Sequence, residues 1–361
     1  SAPPTVIESL TASNASLEYR LDPASSRLVY LFNPGGGHRL YSVPLDGSQS
    51  EVMLSPSFTV SASVLEGFQI SADGVRVVFR SPAGTSALRE LYSAPIDGSA
   101  PAVKLNGTLV SNGGTEWSFA ISPDSASVVY CTDQEVRFKH ELYVVPIADG
   151  APLKLNHTLL GLSDVELDFK ISPDGERVLY RAPVVMEGLY SVPIDRSAEP
   201  IKLSGQVDTN GGVRDFAFLP GGHSLVYRSD ELPYEGWNFF RVPVAGGAVP
   251  RLLNDPAFPA AESPYQGAPS FQITPDGEWI LYHVERPGSG YDLRAAATMP
   301  GSAPSFRVNA SLPASATVFE YAVSSDGSQV VYRADQDVYG VHELYRSFQP
   351  DTRAHPHRRA P

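Results

Sequence analysis

Histidines recur at one position of a repeated pattern in this chain, where their imidazoles would suit a metal ion. Two of them, His140 and His342, are each followed by glutamate, as at the start of the His-Glu-x-x-His motif of zinc peptidases. The second histidine of that motif is missing at both places, and the surrounding residues have the composition of a strand instead of a helix. The third is His38, and His38, His140 and His342 belong to repeats one, three and seven. Ligand atoms must lie within about 2 Å of one zinc ion, which repeats so far apart rarely allow. The sequence therefore predicts no metal site.

A second pattern begins like a calcium-binding loop. The segment from Asp335 to Gly340 has acids at its first and third positions and glycine at its sixth. Its twelfth residue is Arg346, where a calcium loop needs a bidentate glutamate. The sequence therefore predicts no cofactor, and calcium held by Asp335 and Asp337 is the alternative.

Other motifs that carry chemistry are absent from the sequence. It has no Gly-x-Ser-x-Gly turn for a nucleophilic serine, no phosphate-binding glycine loop and no Cys-x-x-Cys pair. The single cysteine, Cys131, is expected to be a buried small apolar residue of a strand. An active site is therefore expected only if loops from several repeats assemble it.

The composition argues against two classes of partner. The net charge of −13 does not fit a nucleic-acid surface, which needs clustered lysine and arginine. No apolar run reaches the roughly 18 residues that a membrane span requires. The sequence thus predicts no nucleic-acid partner and no membrane span. It begins at Ser1 with neither methionine nor a signal peptide, which predicts a processed or excised form.

The elements that must position these residues repeat about every 50 residues along the chain. Each repeat contains an aromatic residue at the end of its second predicted strand. The seven landmark aromatics are Tyr30, Phe79, Tyr130, Tyr180, Tyr227, Tyr282 and Tyr332. Seven landmarks predict seven four-stranded units.

Turn and strand motifs support the same division. A Ser-Pro-Asp-Gly turn or a variant of it precedes each second strand, as at 172–175. Proline presets φ there, aspartate bonds to the backbone ahead and glycine accepts a positive φ. The turn aspartates are therefore interpreted as structural. A Leu-Tyr-x-Val-Pro motif, as at 189–193, marks the third strand.

The two chain ends are expected to complete the array. The seventh unit has predicted strands near 319–323, 329–333 and 342–347 but lacks a fourth, and residues 5–10 have strand composition. Pairing of that segment with the last unit would leave no open edge. The sequence therefore predicts an all-β, seven-bladed β-propeller of four-stranded antiparallel blades over residues 1–348, closed by an N-terminal strand completing the last blade. A flexible tail rich in proline, histidine and arginine is expected at 349–361.

The Ser-Pro-Asp-Gly turn, the Val-x-Tyr strand after it and the Leu-Tyr-x-Val-Pro strand resemble the TolB-type repeat, a WD40-like (PD40) family. This repeat also occurs in propeller domains of prolyl-oligopeptidase-type peptidases. The resemblance covers about residues 5–348 and implies the fold. TolB itself has six blades behind an N-terminal domain and acts through protein contacts in a periplasmic envelope complex. Seven units and no room for that domain mean that its specific role is not implied here.

In such a propeller the first strands line a central channel, and alternation along each strand predicts which side chains share a face. Residues beside the first-strand aromatics, and residues in the loops between second and third strands, form the candidate ligand-binding set. Its members are Glu18, Arg20, Asp133, His140, Asp168, Lys170, Asp215, Glu320, Asp335 and His342. A hydrated channel lining with internal ion pairs is the alternative interpretation.

Two further repeat positions predict local structure. Arginine follows the landmark aromatic at Arg80 and Arg333, and an ion pair with the glutamate ten residues later, Glu90 or Glu343, is expected across each hairpin. Three Asn-x-Ser/Thr sequons share one position just after the last strand, where a turn role explains them without glycosylation. These asparagines are Asn106, Asn156 and Asn309.

The sequence leaves three functions open. The first is a monomeric binding scaffold, periplasmic or secreted, that takes a protein partner or a small polar ligand at its loop face and channel mouth. The second is a lyase or hydrolase with acid/base residues such as His140, Asp133 or Asp335. The third is carbohydrate binding by loop aromatics, which are Tyr234, Trp237 and Tyr265. Converging histidine and carboxylate groups would favour an enzyme, and a broad apolar surface would favour a protein partner.

Overall fold

Antiparallel sheets make up the regular structure of this chain. The computed structural model describes residues 18–33, 37–57, 67–83, 86–111, 113–159, 163–183, 187–207, 212–231, 236–255, 271–286, 290–299 and 305–348. This part of the chain contains no helix, and hence none that is long and apolar enough to cross a membrane. The chain divides into two compact units, Ser1–Val185 with Leu189–Ile201, and Met186–Gly188 with Lys202–Pro361.

The first unit holds the first three sheets and most of the fourth, each with four strands in chain order. Sheet one contains β1 (Tyr19–Leu21), β2 (Arg27–Phe32), β3 (Arg39–Pro44) and β4 (Val52–Met53). Sheet two contains β5 (Gln69–Ile70), β6 (Arg76–Ala83), β7 (Ser86–Pro95) and β8 (Val103–Lys104). Sheet three contains β9 (Thr115–Ile121), β10 (Ser127–Thr132), β11 (Glu141–Pro146) and β12 (Leu153–Lys154). Sheet four contains β13 (Lys170–Ile171), β14 (Arg177–Pro183), β15 (Glu187–Pro193) and β16 (Ile201–Lys202).

The second unit holds the remaining three sheets. Sheet five contains β17 (Val213–Phe218), β18 (Ser224–Ser229), β19 (Asn238–Pro243) and β20 (Arg251–Leu252). Sheet six contains β21 (Phe271–Ile273), β22 (Trp279–Glu285), β23 (Tyr291–Ala297) and β24 (Phe306–Arg307). Sheet seven contains β25 (Val318–Val323), β26 (Gln329–Ala334) and β27 (Glu343–Phe348). The three strands predicted for the last unit are confirmed to within a residue or so. The closing strand at 5–10 and the tail at 349–361 lie outside the described residues.

Cross-strand aromatic pairs form the centre of the sheets. In every described sheet except the sixth, the landmark aromatic of the second strand stacks on an aromatic of the third, with ring centroids 5.4–6.1 Å apart. The landmark side chains are buried. Sheet six departs because Tyr282 pairs in register with Arg294. Such aromatic pairs add about 0.5–1.5 kcal/mol beyond the area they bury.

The apolar core lies between successive sheets within each unit. Val29 and Leu40 of sheet one form one cluster with Phe68 and Phe79 of sheet two. Corresponding clusters join sheets two and three, three and four, five and six, and six and seven. Each sheet therefore buries at least one face against the sheet that precedes or follows it in the chain, as a repeat array requires.

The turns have the predicted chemistry. The Ser172 hydroxyl donates to Oδ1 of Asp174, which also accepts the backbone N–H of Glu176, and Gly175 has φ of 76°. The same hydroxyl–carboxylate pair recurs at the turns of sheets two, three, six and seven. The structural interpretation of these turn aspartates is confirmed.

The sequon asparagines are buried and bonded to the third strand. Oδ1 of Asn106 accepts the N–H of Leu91 at 2.7 Å, and its Nδ2 donates to the next carbonyl. Asn156 and Asn309 repeat this arrangement, and the three asparagines are only 3–4% exposed. Asn254, which is not part of a sequon, also makes it. These side chains therefore connect the end of the fourth strand to the third strand of the same sheet.

Candidate functional site

Acid–arginine pairs connect the first and second strands of three sheets. The first pair is Asp168–Arg181, with Oδ1 and Nη2 3.1 Å apart. Glu320 and Arg333 pair more tightly, at 2.7 Å between Oε1 and Nε. In the third pair, Asp215–Arg228, Oδ1 and Nε are 3.4 Å apart. Glu320–Arg333 is the most solvent-exposed of the three, and exposed ion pairs stabilise a fold by at most about 1 kcal/mol.

The ion pairs predicted between arginine and the glutamate ten residues later are wrong. Arg333 lies opposite Leu344 and Glu343 lies opposite Ala334, so the two charged side chains are one residue out of step. Neighbouring side chains of a strand point to opposite faces, which places them on different sides of the sheet. In sheet two, Arg80 donates to the carbonyl of Thr115 instead, and Glu90 pairs with Lys104.

Glu18 and Arg20, at the start of the first sheet, form an ion pair with each other. Oε1 of Glu18 lies 3.0 Å from Nη2 of Arg20, and its Oε2 accepts the backbone N–H of Gly67 at 2.7 Å. The Arg20 guanidinium also lies 5.5 Å from the centre of the Phe68 ring. Lys170, the other predicted cation, is exposed on β13. A common channel for these residues stays a prediction.

Two loop aspartates of the candidate set are bonded to the backbone. Asp133, at the end of the second strand of sheet three, accepts the N–H groups of Gly114 at 2.7 Å and Phe138 at 3.0 Å. Asp335 does the same in sheet seven, with the N–H groups of Thr317 at 2.6 Å and Gly340 at 3.0 Å. Both are at least 95% buried.

Burial and these hydrogen bonds have opposite effects on the pKa of Asp335. Burial would raise its pKa, but the N–H groups of Gly340 and Thr317 lower it below the usual 3.8. The ionised carboxylate therefore holds the strand end and the loop together.

These contacts bear on the calcium alternative. Both oxygens of Asp335 already accept N–H donors, while Asp337 is exposed. Among the described residues, no group of three or more histidine, cysteine, aspartate or glutamate side chains is arranged to hold a metal. Calcium at this loop stays a prediction.

Glu320 and His342 of the candidate set meet at one arginine. Nη1 of Arg333 lies 3.0 Å from Nδ1 of His342, while its Nε binds Glu320. Because a guanidinium only donates, Nδ1 accepts, and the imidazole proton resides on Nε2. The Phe319 ring packs 4.2 Å from the imidazole and 4.8 Å from the guanidinium, measured from ring centres. The sequence analysis did not predict that Phe319, Arg333, Glu320 and His342 would pack together, since no local sequence pattern reveals it.

His140 has a different partner. Its backbone N–H donates to Oδ1 of Asp164 at 2.6 Å, and its Nδ1 lies 3.4 Å from the same oxygen. Asp164 was missed by sequence reasoning because it lies outside the repeated positions. Of the loop aromatics proposed for carbohydrate binding, Tyr234 and Tyr265 lie outside the described residues, and Trp237 precedes β19.

Comparisons with known proteins give information on the fold of this chain. No protein-family model and no curated protein matches this sequence. Similar solved structures include a putative TolB from Agrobacterium tumefaciens, 19% identical, covering 65% of this chain and 79% of that one, with a TM-score of 0.37. TolB from Acinetobacter baumannii is 14% identical, over 76% of this chain and 61% of its own, with a TM-score of 0.36.

Dipeptidyl peptidase 4 from Porphyromonas gingivalis is 11% identical to this chain, with a TM-score of 0.54. The match covers 89% of this chain but about half of the peptidase, 49%. At this identity the likeness concerns the fold alone. The chain is an all-β protein whose seven antiparallel sheets have the fold of a seven-bladed β-propeller.

Proposed function

We propose that this protein is a binding scaffold in which the loop between the second and third strands of sheet three, and the corresponding loop of sheet seven, can each bind a protein partner. One observation carries the proposal. The first acid of each loop, Asp133 or Asp335, is bonded to the backbone. Beside the charged residues Glu135, Arg137 and Asp337, the loops expose five apolar side chains. Those side chains are Val136 (46% exposed), Phe138 (63%), Val338 (58%), Tyr339 (65%) and Val341 (49%).

The two loops are built alike, which supports a shared role. Besides the aspartate, each contains a glutamine that accepts a backbone N–H at the end of the preceding sheet. Gln134 accepts that of Gly107 at 3.2 Å, and Gln336 accepts that of Ala310 at 3.1 Å. A loop held at both points loses little conformational entropy on binding, so its exposed apolar side chains are available as anchors.

The alternatives fit the same contacts less well. A lyase or hydrolase that used Asp133 or Asp335 would need a carboxylate free to exchange protons with substrate, whereas each already accepts two N–H donors. Of the three aromatics predicted for carbohydrate binding, only Trp237 belongs to the described residues, and it is partly buried. A periplasmic or secreted location is also part of the proposal, and its support is the resemblance to the TolB-type repeat.

The test is affinity capture from an extract of the source cells. A Val338→Asp/Tyr339→Asp double variant places two charges on the sheet-seven loop, and Val249→Asp is the matched control, since Val249 is an apolar side chain 89% exposed after β19. We expect the wild type and the control to retain a protein that the double variant loses, with equal melting temperatures for all three. Capture that is the same for the wild type and the double variant would contradict the proposal.

A further inference from the structure

The fourth strand of sheet five reverses the residue order of most other sheets. In sheets two, three, four and six, the first residue of this strand is apolar and the second is a cation. These residues are Val103 with Lys104, Leu153 with Lys154, Ile201 with Lys202, and Phe306 with Arg307. In sheet five they are Arg251 and Leu252. Because neighbouring side chains of a strand point to opposite faces, the exchange moves the cation to the other face of the sheet.

On the usual face the cation has an acid partner, which sheet five lacks. In sheet three, Nζ of Lys154 lies 2.9 Å from Oε2 of Glu141, the first residue of β11. The corresponding first residue of β19 is Asn238. A cation in place of Leu252 would therefore have no such carboxylate to pair with. This accounts for an apolar residue on the usual face, but it does not account for a cation on the other one.

That other face places two arginines against each other. Arg251 lies directly opposite Arg241 of β19 in the register of the two strands. Like charges in this arrangement destabilise a pair of strands. Burial lowers the pKa of Arg241, and the positive charge of Arg251 lowers it further, although both side chains remain cations. Among the described residues, no acid forms an ion pair with either arginine.

The two guanidinium groups converge on one oxygen near the protein surface. Nη1 of Arg241 and Nη1 of Arg251 lie 2.9 and 3.1 Å from the carbonyl oxygen of Thr298, just after β23. Sδ of Met299, a residue that is 51% exposed, lies 3.1 Å from the same Nη1 of Arg241. Both arginines are half-buried, and within the described part of the chain neither has a guanidinium nitrogen that is sealed from solvent without a partner. A carbonyl carries only a partial negative charge, so most of the positive charge of the two arginines remains available to an anion.

We propose that Arg241 and Arg251 form a site for the phosphate group of a small ligand. A phosphate monoester carries about 1.5 to 2 negative charges at neutral pH, which matches two cations, whereas a carboxylate carries one. Each guanidinium presents parallel N–H donors that fit two phosphate oxygens. Met299 offers an apolar contact for the group to which the phosphate is attached. Binding also removes the repulsion between the two arginines.

The test is the melting temperature of the full chain as inorganic phosphate or glycerol phosphate replaces sodium chloride at one ionic strength. The two phosphate probes distinguish a free ion from a phosphate ester, and a saturable rise with either one supports the site. Sodium acetate, whose anion has a single charge, should have a smaller effect. Nonspecific stabilisation by phosphate arises from its exclusion from the protein surface, so it should not saturate and should be the same in wild type and variants.

Arg251→Val is the decisive variant. It restores the apolar residue type of the other sheets and removes the like-charge pair, so it should fold and, without phosphate, melt no lower than the wild type. It should weaken phosphate binding by at least about tenfold, and Arg241→Gln should do the same, because each removes hydrogen bonds between charged groups. Arg307→Gln is the matched control. It removes one cation from the fourth strand of sheet six, where Asp292 is the acid partner of Arg307, and it should bind phosphate like the wild type.

Isothermal titration calorimetry of the wild type and the three variants gives the dissociation constants directly. The inference is overturned if neither phosphate probe acts differently from chloride, or if acetate stabilises the wild type as much as phosphate does. It is also overturned if the folded Arg251→Val variant binds phosphate like the wild type, or if Arg307→Gln loses binding to the same extent.

Discussion

Replacing His283 with phenylalanine is expected to remove an acid-induced loss of stability from the sixth sheet. His283 lies on β22, directly after Tyr282, at the position that arginine occupies in sheets five and seven. The rings of Tyr321 and Tyr291 pack edgewise against the imidazole, with centroids 5.2 and 6.2 Å away. Its Nε2 is fully buried without a hydrogen-bond partner. Burial lowers the pKa of His283 from 6.5 to about 4.

The sign and size of the effect follow from this shift in pKa. Below pH 6.5 the unfolded chain gains a proton that the folded chain does not accept until about pH 4, so stability falls as pH decreases through this window. With 1.36 kcal/mol for each pKa unit, the loss reaches about 2.5 kcal/mol at pH 4.5. Phenylalanine carries no proton and leaves no unpaired nitrogen, so His283→Phe should lack this loss.

The assay is urea unfolding of the wild type and His283→Phe between pH 7.5 and 4.5. The difference in unfolding free energy should grow in favour of the variant by about 2–3 kcal/mol over this range. Other groups that titrate far from His283 cancel in the difference. His223→Gln, at an exposed histidine, is the control and should follow the wild type. Parallel pH profiles for wild type and His283→Phe would refute the reasoning.

Three further predictions concern repeated positions. Burial raises the pKa of Glu231 above its ordinary value of 4.5. The protonated side chain therefore stabilises the fold at low pH, and this stabilisation is lost as pH rises through the raised pKa. Glu231→Gln, which keeps an acceptor for Tyr227 and Gly205, should therefore be more stable than the wild type at pH 8 and equal to it at pH 4, as measured by urea unfolding. Phe138 has φ of 61°, so Phe138→Gly should raise the unfolding free energy by about 1 kcal/mol, and an unchanged urea midpoint would contradict this. Expression in a glycosylating host should leave the three buried sequon asparagines unmodified, and mass spectrometry that finds a glycan on any of them would refute their assigned role.

The sequence by itself determined the repeat, its strands and its turns. These depend on residues close together in the chain. Examples are a serine and an aspartate two positions apart in a turn, and two aromatics that face each other across the strands of a hairpin. Local spacing controls which of these side chains meet, so the seven landmark aromatics were sufficient to place the sheets. The role of the sequon asparagines was predicted only in part, because the bond from Asn106 to Leu91 spans the third and fourth strands.

The tertiary structure decided which polar groups remain available for function. Asp133 and Asp335 read as candidate acids in the sequence, yet each accepts an N–H from a residue 18 or more positions earlier. Arg333 pairs with Glu320 instead of Glu343 because strand register, not distance along the chain, sets the face of each side chain. Only three-dimensional packing shows that Arg228 is buried 3.4 Å from Asp215, whereas Arg333, at the same repeat position, binds both Glu320 and His342. Hydrogen bonds form over about 3 Å in space, and a repeat alone does not specify which distant segments reach that separation.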